Sequence, residues 1–223
     1  GLCDLVLAGG ADELCRTTYN GFISLMITDQ EPVRPFDRNR RGLNLGEGAG
    51  MLVLESEALS QKRPGRARAR LLGYGSACDA HHLTAPHPEG AGLQRALREA
   101  LTACGCPAGE IAFINAHGTG TPENDRVESR TLAEVLPHIP FLSTKGFTGH
   151  TLGAAGGIEA AFTLGCLEQG RIPASAGFAE ADPELPALPV RETTGTTGRV
   201  AVSQSLAFGG NNAVIVLETG ARA

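Results

Sequence analysis

The chain has 223 residues, of which 42% are hydrophobic and 19% charged, a composition typical of a globular protein with a substantial core. Its net charge of −5 argues against nucleic-acid binding, which calls for a basic surface. No apolar run approaches the roughly 20 residues that a membrane span needs, and the sequence opens without a signal-peptide pattern. The six cysteines show no framework spacing, so we predict reduced thiols and a cytoplasmic protein.

The first part of the chain predicts two short buried strands with a helix and a charged loop between them. Residues 4–8 form the first strand and are followed by a turn at Gly9-Gly10, and residues 17–27 are helical. Residues 31–41 carry prolines and arginines and predict a loop, and residues 51–54 form the second strand. Because the chain opens on a strand without an initiator methionine, we expect a longer protein to precede it.

The polar, basic stretch 60–70 indicates a boundary, so we divide the chain into residues 1–62 and 63–223. A new strand begins at 69–74, and the apolar spacing of residues 93–104 predicts an amphipathic helix that ends at Gly105. The remaining predicted elements are a strand at 111–114, helices at 124–136 and 153–167, and a hairpin of strands at 199–206 and 213–218. The helix at 153–167 is nearly all small or apolar and is predicted to be buried on most sides. Alternating strands and helices predict a layered α/β fold.

Three predicted strands end in polar or glycine-rich segments. The strand at 111–114 runs into His117, the segment from Phe141 contains Lys145 and His150, and the strand at 199–206 runs into Phe208-Gly-Gly210. In layered α/β proteins, ligands and catalytic groups collect where strands end and loops begin. The sequence therefore predicts one site assembled from three strand ends.

The motifs in these segments resemble those of the β-ketoacyl-acyl-carrier-protein synthases, which are condensing enzymes of the thiolase fold. The matching segments are Asn115-Ala-His-Gly-Thr-Gly-Thr-Pro122, residues 143–156, Phe208-Gly-Gly210, and, upstream, residues 8–12, 34–37 and 46–54. The resemblance extends to about Glu218 and implies a five-layer αβαβα fold made of two similar halves. Residues 63–223 then correspond to the C-terminal half, and residues 1–62 to the tail of the N-terminal half.

The resemblance implies a decarboxylative Claisen condensation, in which malonyl thioester loses carbon dioxide and its carbanion attacks an acyl thioester. His117 and His150 match the two imidazoles that stabilise the enolate oxygen, a task for neutral hydrogen-bond donors. Lys145 matches a buried lysine, for which Glu128 fits the position of carboxylate partner, while Asp125 is expected to cap its own helix. Glu159 matches an acid that orders water beneath the site; the alternative is that it simply belongs to the polar face of its helix. A purely structural ion pair between Lys145 and Glu128 is the alternative to a direct catalytic role.

The expected substrate-binding residues hold a phosphopantetheine arm and its acyl chain. Thr119 and Thr121 match hydroxyls that bind the arm, although both also suit a turn. Phe208 matches a gating aromatic whose backbone N–H serves an oxyanion, with Gly209 and Gly210 giving its loop freedom to move; the alternative is a core residue. His82 and Thr84 match a loop of the acyl tunnel. The resemblance implies no cofactor beyond the phosphopantetheine of acyl carrier protein.

A zinc site is the alternative for one cluster of side chains, Cys78, His81, His82 and His87, because sulfur and imidazole are the usual zinc ligands. Their spacing matches no standard pattern, so we predict no metal.

The family's nucleophilic cysteine lies upstream of the segment that matches this chain, and Cys3, at the mouth of a strand, is no substitute for it. We therefore expect the chain alone to be inactive. The expected partners are acyl carrier protein and a second subunit, in a homodimer or a ketosynthase heterodimer, with no nucleic acid and no membrane. A non-catalytic subunit that sets chain length, and a degradative thiolase, are the other open functions; intact His117, Lys145 and His150 favour the condensing enzyme.

Two positions depart from the usual pattern of the family. Asn211 replaces a threonine, and Gln204 replaces an asparagine. The form Ala-Phe-Gly-Gly-Asn-Asn212 resembles a branch linked to aryl polyene lipids, which leaves open whether the pathway is fatty acid, polyketide or aryl polyene synthesis.

Overall fold

The computed structural model describes residues 2–65 and 67–220. Its main sheet has five strands, and two further sheets have two strands each. The strands are β1 Leu5–Asp12, β2 Gly48–Glu55, β3 Ala69–Cys78, β4 Ile111–Asn115, β5 Phe141–Leu142, β6 Arg171–Ile172, β7 Thr194–Gly195, β8 Val200–Ala207 and β9 Asn211–Thr219. The helices are α1 Arg16–Ser24, α2 Glu57–Ser60, α3 Ala91–Cys104, α4 Pro122–Val135, α5 Lys145–Thr148 and α6 Ala155–Gln169. Short 3₁₀ turns occupy Ala108–Glu110, Leu152–Ala154 and Phe208–Gly210.

The order of strands in the main sheet is β3-β9-β8-β4-β5. The last two long strands form an antiparallel hairpin, in which Ala207 pairs with Asn211, and β4 runs parallel to both β8 and β5. Asn115, at the end of β4, is in register with Ser203 on one side and Leu142 on the other. The three strands predicted to deliver the site are therefore neighbours that reach the same edge of the sheet, as expected from the sequence.

Helices cover both faces of the main sheet. The apolar stripe of α3, which includes Leu93, Leu97 and Ala100, packs with Val202 and Val214 in one buried cluster. On the other face, α6 contributes Ala160 and Leu167 to a second cluster with Phe113 and Ala201. Adjacent strand residues alternate between the clusters because successive side chains point to opposite faces. The β1–β2 ribbon packs on the far side of α6, so helix, sheet, helix and sheet follow one another as layers.

The glycines of the β1–β2 ribbon lie inside strands, so the turn predicted at Gly9-Gly10 is wrong. Gly10 pairs with Gly50 within the antiparallel ladder. A β-carbon at Gly10 would lie 1.8 Å from the carbonyl oxygen of Gly153, and one at Gly50 would lie 2.3 Å from the backbone nitrogen of Ile158. These glycines serve close approach of the ribbon to the start of α6, which a turn-forming interpretation could not anticipate. On α6, Gly157 faces Gly50 in the same way. We call Gly10, Gly50 and Gly157 the glycine seam.

Helix α6 is less enclosed than predicted. Glu159, Ala160, Thr163 and Leu167 are buried toward the main sheet, but Phe162 has 42% of its surface exposed. The small residues that suggested full burial instead permit close packing on the face that meets the ribbon.

Cys104 and Cys106 form a disulfide, so the prediction of six reduced thiols is wrong for this pair. Gly105 ends α3 in the left-handed conformation, with φ 66°, and turns the chain so that the two cysteine Cα atoms lie 5.3 Å apart. The other four cysteines are free.

Among the described helices, none combines the length and the apolar character that crossing a lipid bilayer would need. The division of the chain at residues 62 and 63 stays a prediction; the β1–β2 ribbon precedes it and the main sheet follows it.

Candidate active site

A cavity of about 640 Å³ opens at the edge of the sheet where β4 and β8 end. Its lining joins the loop after β4 (His117, Thr119, Thr121), the segment from His150 to Gly156, the end of β8 with Phe208 and Gly210, and Phe22 from α1. The walls also include Ile27, Leu43, Ala85 and Pro86, which are apolar. A cavity with apolar walls and a few convergent polar groups is the usual form of a small-molecule site.

The two histidines predicted to act together do lie together. Their rings meet edge to face at 86°, with the ring centroids 5.1 Å apart. His117 is buried at the end of β4, and His150 is held by backbone hydrogen bonds to Asn44 and Gly46, in the loop before β2. Two segments that are distant along the chain therefore fix one pair of imidazoles.

Burial keeps both imidazoles neutral. It lowers the pKa of His150 to about 3, with the charge of Lys145 acting in the same direction. It also lowers the pKa of His117 well below the usual value, and Lys145 and His150 add to that effect. A neutral imidazole carries one N–H, so each ring offers a single donor.

The hydrogen bonds at Nδ1 indicate which nitrogen carries that proton. Nδ1 of His150 accepts the backbone N–H of Leu152 at 3.2 Å. Nδ1 of His117 lies 3.0 Å from Nζ of Lys145, whose ammonium can only donate. We therefore assign the proton of both rings to Nε2, which leaves two neutral N–H donors in the cavity.

Lys145 is the buried cation of the site, as predicted, but its carboxylate partner is Glu159 rather than Glu128. Its Nζ forms an ion pair with Glu159 and donates to the carbonyl oxygen of His117 at 2.7 Å. Burial raises the pKa of Glu159, and the neighbouring ammonium opposes that rise. The predicted pairing with Glu128 was wrong because α6 passes beneath the site and presents its one buried acid to Lys145, a proximity that sequence spacing does not reveal.

Glu128 instead holds the backbone of the loop after β4. Its carboxylate accepts the N–H groups of His117 and Gly118, the side-chain amide of Asn124 at 2.9 Å and that of Gln204 at 2.6 Å. The side chain is fully buried, and burial raises its pKa while these donors lower it. Glu128 thus fixes the position of His117 without touching the cavity.

Asp125 plays a similar part and does not cap its own helix as predicted. The N-cap of α4 is Thr121, and Pro122 begins the helix. Asp125 accepts the N–H of Phe36 at 2.6 Å and that of Gly120 at 3.2 Å. It thereby ties the loop of residues 117–121 to the arginine-rich loop that precedes β2. Burial raises the pKa of Asp125 to about 7, against the lowering effect of these hydrogen bonds and of Arg40.

Thr119 and Thr121 both line the cavity, and their hydroxyl oxygens lie 2.9 Å apart. A pair of hydroxyls in an apolar cavity suits a ligand with amide groups; the predicted contact of both threonines with the phosphopantetheine arm stays a prediction.

Phe208 lies at the cavity wall, with 43% of its surface exposed in this chain. Its ring stacks on that of Phe22, with centroids 5.6 Å apart. Gly209 and Gly210 have φ of 81° and 77°, values that favour glycine. Gly210 lines the cavity, and Gly209 donates its N–H to the carbonyl of Leu83. Sequence reasoning missed Phe22, since a single aromatic residue in a weakly patterned helix gives no signal.

Of the two residues predicted in the acyl-tunnel loop, Thr84 lines the cavity and His82 does not. His82 is exposed, and its Nδ1 accepts the N–H groups of Thr84 and Ala85. The structure thus places His82 in the framework of this loop, and its predicted contact with substrate stays untested.

The four side chains considered for zinc are occupied with other partners. Cys78 donates to the carbonyl of Gly209, His87 accepts the N–H of Glu89, and the ring of His81 packs against that of His87. In residues 2–65 and 67–220, no group of three or more metal-ligating side chains could hold an ion.

No cysteine lines the cavity. The thiol pKa of Cys166 is raised by burial, and that of Cys15 is lowered, chiefly by Thr18; neither residue lines the cavity. The histidine pair therefore faces a space in which this chain places no thiol.

Comparison with known proteins gives a consistent result along the chain. Residues 1–59 match the family model of the β-ketoacyl synthase N-terminal domain, and residues 68–179 match that of the C-terminal domain. Two curated relatives are 3-oxoacyl-[acyl-carrier-protein] synthases 2. The one from Synechocystis is 36% identical over 98% of this chain and 55% of its own length. One from Staphylococcus aureus is 41% identical over 98% of this chain and 57% of its own length.

Solved structures give the same result. The ishigamide ketosynthase/chain length factor superposes with a TM-score of 0.92 at 40% identity, over 98% of this chain and 54% of that one. A second structure contains the ketosynthase ApeO of Xenorhabdus doucetiae in complex with its chain length factor ApeC. It superposes with a TM-score of 0.89 at 38% identity, over 98% of this chain and 54% of the matched chain. The chain therefore spans about half the length of the proteins it matches, and its fold is the predicted α/β thiolase-like fold. By both the sequence models and the superpositions, the chain belongs to the β-ketoacyl synthase family.

Proposed function

We propose that this chain supplies the decarboxylation machinery of a 3-oxoacyl-[acyl-carrier-protein] synthase. The observation that carries the proposal is the pair of neutral imidazoles, each with Nδ1 engaged and Nε2–H free to donate. When malonyl thioester loses carbon dioxide, the electron pair of the breaking bond moves into an enolate, whose negative charge is on the thioester oxygen. Two neutral donors aimed at that oxygen stabilise the enolate without protonating the carbanion.

The carbanion then attacks the carbonyl carbon of an acyl thioester, and the thiolate of that ester leaves. Phe208, at the end of β8, lines the same cavity, and we expect the acyl chain to enter beside it. The relatives' names support fatty acid or polyketide synthesis, and aryl polyene synthesis stays an expectation. Substrates arrive on the phosphopantetheine of acyl carrier protein, with Thr119 and Thr121 beside the arm; a relative has been solved with its acyl-carrier protein.

The thiol that holds the acyl chain is proposed to come from outside these 223 residues, since none of the six cysteines lines the cavity. The chain alone is then inactive, and a stable acyl adduct on any of its cysteines would contradict this part of the proposal. A homodimer or a ketosynthase–partner heterodimer, and a cytoplasmic location, belong to the same proposal.

A non-catalytic chain-length subunit is the rival function, because two of the matched structures contain a chain length factor. The deciding experiment measures carbon dioxide released from malonyl-acyl carrier protein by the full-length protein that contains this chain. We expect release that depends on His117 and His150. A full-length protein that binds carrier protein but releases none would favour the chain-length subunit.

A further inference from the structure

The residue that carries a further inference is Gln204, in the interior of β8. It is fully buried, and its Nε2 donates to Oε1 of Glu128 at 2.6 Å. Three of the four donors to Glu128 are close to it along the chain. His117, Gly118 and Asn124 all belong to the β4–α4 segment, as Glu128 does, so Gln204 is the donor that reaches this carboxylate from another strand.

The position of Gln204 along β8 makes this bond possible. The ladder between β4 and β8 ends with Asn115 beside Ser203. Beyond that pair, the chain of β4 turns away as the loop of His117, and β8 continues past it. Gln204 is the first residue of β8 past the ladder, and its amide reaches Glu128 on α4.

The charge of Glu128 depends on such donors. Within the described residues, no cation lies within ion-pair distance of its carboxylate; Lys145, which is paired with Glu159, lowers the pKa of Glu128 from farther away. Two other buried acids, Asp125 and Glu159, face the same region; burial raises the pKa of both, and the charge of Glu128 adds to that rise. Burial disfavours the ionised form of Glu128, and the Gln204 amide is a neutral donor that offsets this effect. If Glu128 took up a proton, its carboxyl would have to donate as well as accept, and it could no longer accept both the His117 and Gly118 N–H groups and the two side-chain amides.

We infer that Gln204 is a positioning residue for the decarboxylation step: it keeps Glu128 ionised and aimed at the backbone of His117, and so holds that imidazole in place. This inference rests on the proposed function. Gln204 touches no substrate in this assignment, since it does not line the cavity. Its amide oxygen, Oε1, is buried without a hydrogen-bond partner among the described residues. The hydrogen bond from Nε2 to Glu128 is therefore the polar contact that its side chain makes there.

The test is the pH profile of carbon dioxide release by the full-length protein. Gln204→Met keeps the length of the side chain and removes the amide. We expect Gln204→Met to lose activity on the order of 10-fold near neutral pH and to move the acidic limb of the profile upward by about one unit, because each lost donor raises the pKa of Glu128. The KM for malonyl-acyl carrier protein should stay nearly unchanged.

Matched controls separate positioning from simple loss of packing. Thr131→Val also removes a buried polar group from the α4 region, one helical turn beyond Glu128, and should leave the profile in place. In a Glu128→Gln background, Gln204→Met should produce no further shift, since the titrating group is gone. Should Gln204→Met not fold, Gln204→Leu decides by the same profile, because it also removes the amide that donates to Glu128.

An unshifted acidic limb in a folded Gln204 variant, with any loss uniform across pH, would overturn the inference. A parent protein that releases no carbon dioxide would instead contradict the proposed function, so the two failures are distinguishable.

Discussion

Nζ of Lys145 lies 3.0 Å from Nδ1 of His117 and also forms an ion pair with Glu159. One buried ammonium thereby connects the acid of α6 to the imidazole at the end of β4. The lysine has two separable effects: its positive charge balances the negative charge of Glu159, and it selects the tautomer of His117.

The first prediction separates these two effects by a double-mutant cycle. Lys145→Met and Glu159→Leu should each lower the unfolding free energy by about 3–5 kcal/mol, because each leaves an unpaired buried charge. The double variant should lose less than either single one. Its carbon dioxide release should nevertheless stay at least about tenfold low, since Nδ1 of His117 has lost its donor. Thermal unfolding and decarboxylation assays on the four proteins give both readouts. Recovery of full activity in the double variant would show that the lysine serves stability alone.

The second prediction concerns the two donors. His117→Ala and His150→Ala should each reduce carbon dioxide release by on the order of 10²–10³-fold, the usual cost of one oxyanion donor. Acyl transfer to the nucleophile of the full-length protein should stay measurable, because that step does not use the enolate donors. His81→Ala is a suitable control, since His81 does not line the cavity. Normal decarboxylation by either variant would exclude that histidine from the mechanism.

The third prediction concerns the stability of the protein between pH 4 and 7. The pKa of Asp125 is raised from 3.8 to about 7, so the folded state binds its proton more tightly than the unfolded chain. The stability that this group contributes is therefore complete below about pH 4 and is lost as the pH rises through about 7. Asp125→Asn should flatten the fall in unfolding free energy over this window, as measured by urea denaturation of the full-length protein at several pH values.

Asp37 provides a control of opposite sign. Burial opposes the ionisation of Asp37, but hydrogen bonds from the N–H groups of Glu180, Ala179 and Asn39 outweigh it and lower the pKa below 3.8. Its contribution is present above its unfolded pKa and is lost on acidification. Asp37→Asn should therefore change the acidic side of the curve and leave the slope between pH 5 and 7 unchanged. The Asp125 assignment would fail if Asp125→Asn left that slope as steep as in the parent.

The fourth prediction concerns the stacked rings of Phe22 and Phe208. If the stack closes the cavity wall, then Phe208→Ala and Phe22→Ala should both widen the range of acyl lengths accepted, because neither variant keeps the stack. Since Phe208 is 43% exposed, its truncation should cost less stability than the roughly 3–5 kcal/mol of a buried aromatic. Acyl-length profiles and melting temperatures of both variants give the comparison. An unchanged profile for Phe208→Ala would contradict a gating role.

The sequence predicted the site more fully than it predicted the contacts inside it. His117 could be placed at a strand end because an apolar run of strand length, residues 111–114, precedes it. Lys145 and Phe208 follow segments that repeat this plan, and neighbouring parallel strands end together. The partner of Lys145 could not be found in this way, since Glu128 and Glu159 are both acids on helices. Only the path of α6 beneath the sheet decides between them.

Other errors have equally local causes. Glycine commonly marks a turn, and nothing in the sequence Ala8-Gly-Gly-Ala11 shows that Gly10 meets the backbone of Gly153 across the fold. The disulfide between Cys104 and Cys106 depends on the left-handed conformation of Gly105, which the spacing of cysteines does not encode. Phe22 was missed because its importance lies in one contact with a residue far along the chain.

The glycine seam has a consequence for how this protein tolerates sequence change. A β-carbon at Gly157 would lie 2.2 Å from the carbonyl oxygen of Gly50, so a single methyl group there would push the β1–β2 ribbon away from α6. The same helix carries Glu159, and it begins at Ala155, five residues after His150. In a saturation scan, Gly10, Gly50 and Gly157 should therefore appear as intolerant as the histidines, although they are separated from the reacting atoms. The two groups would differ in what is lost: substitutions in the glycine seam lower the amount of folded protein, whereas substitutions at His117 leave the protein folded but inactive.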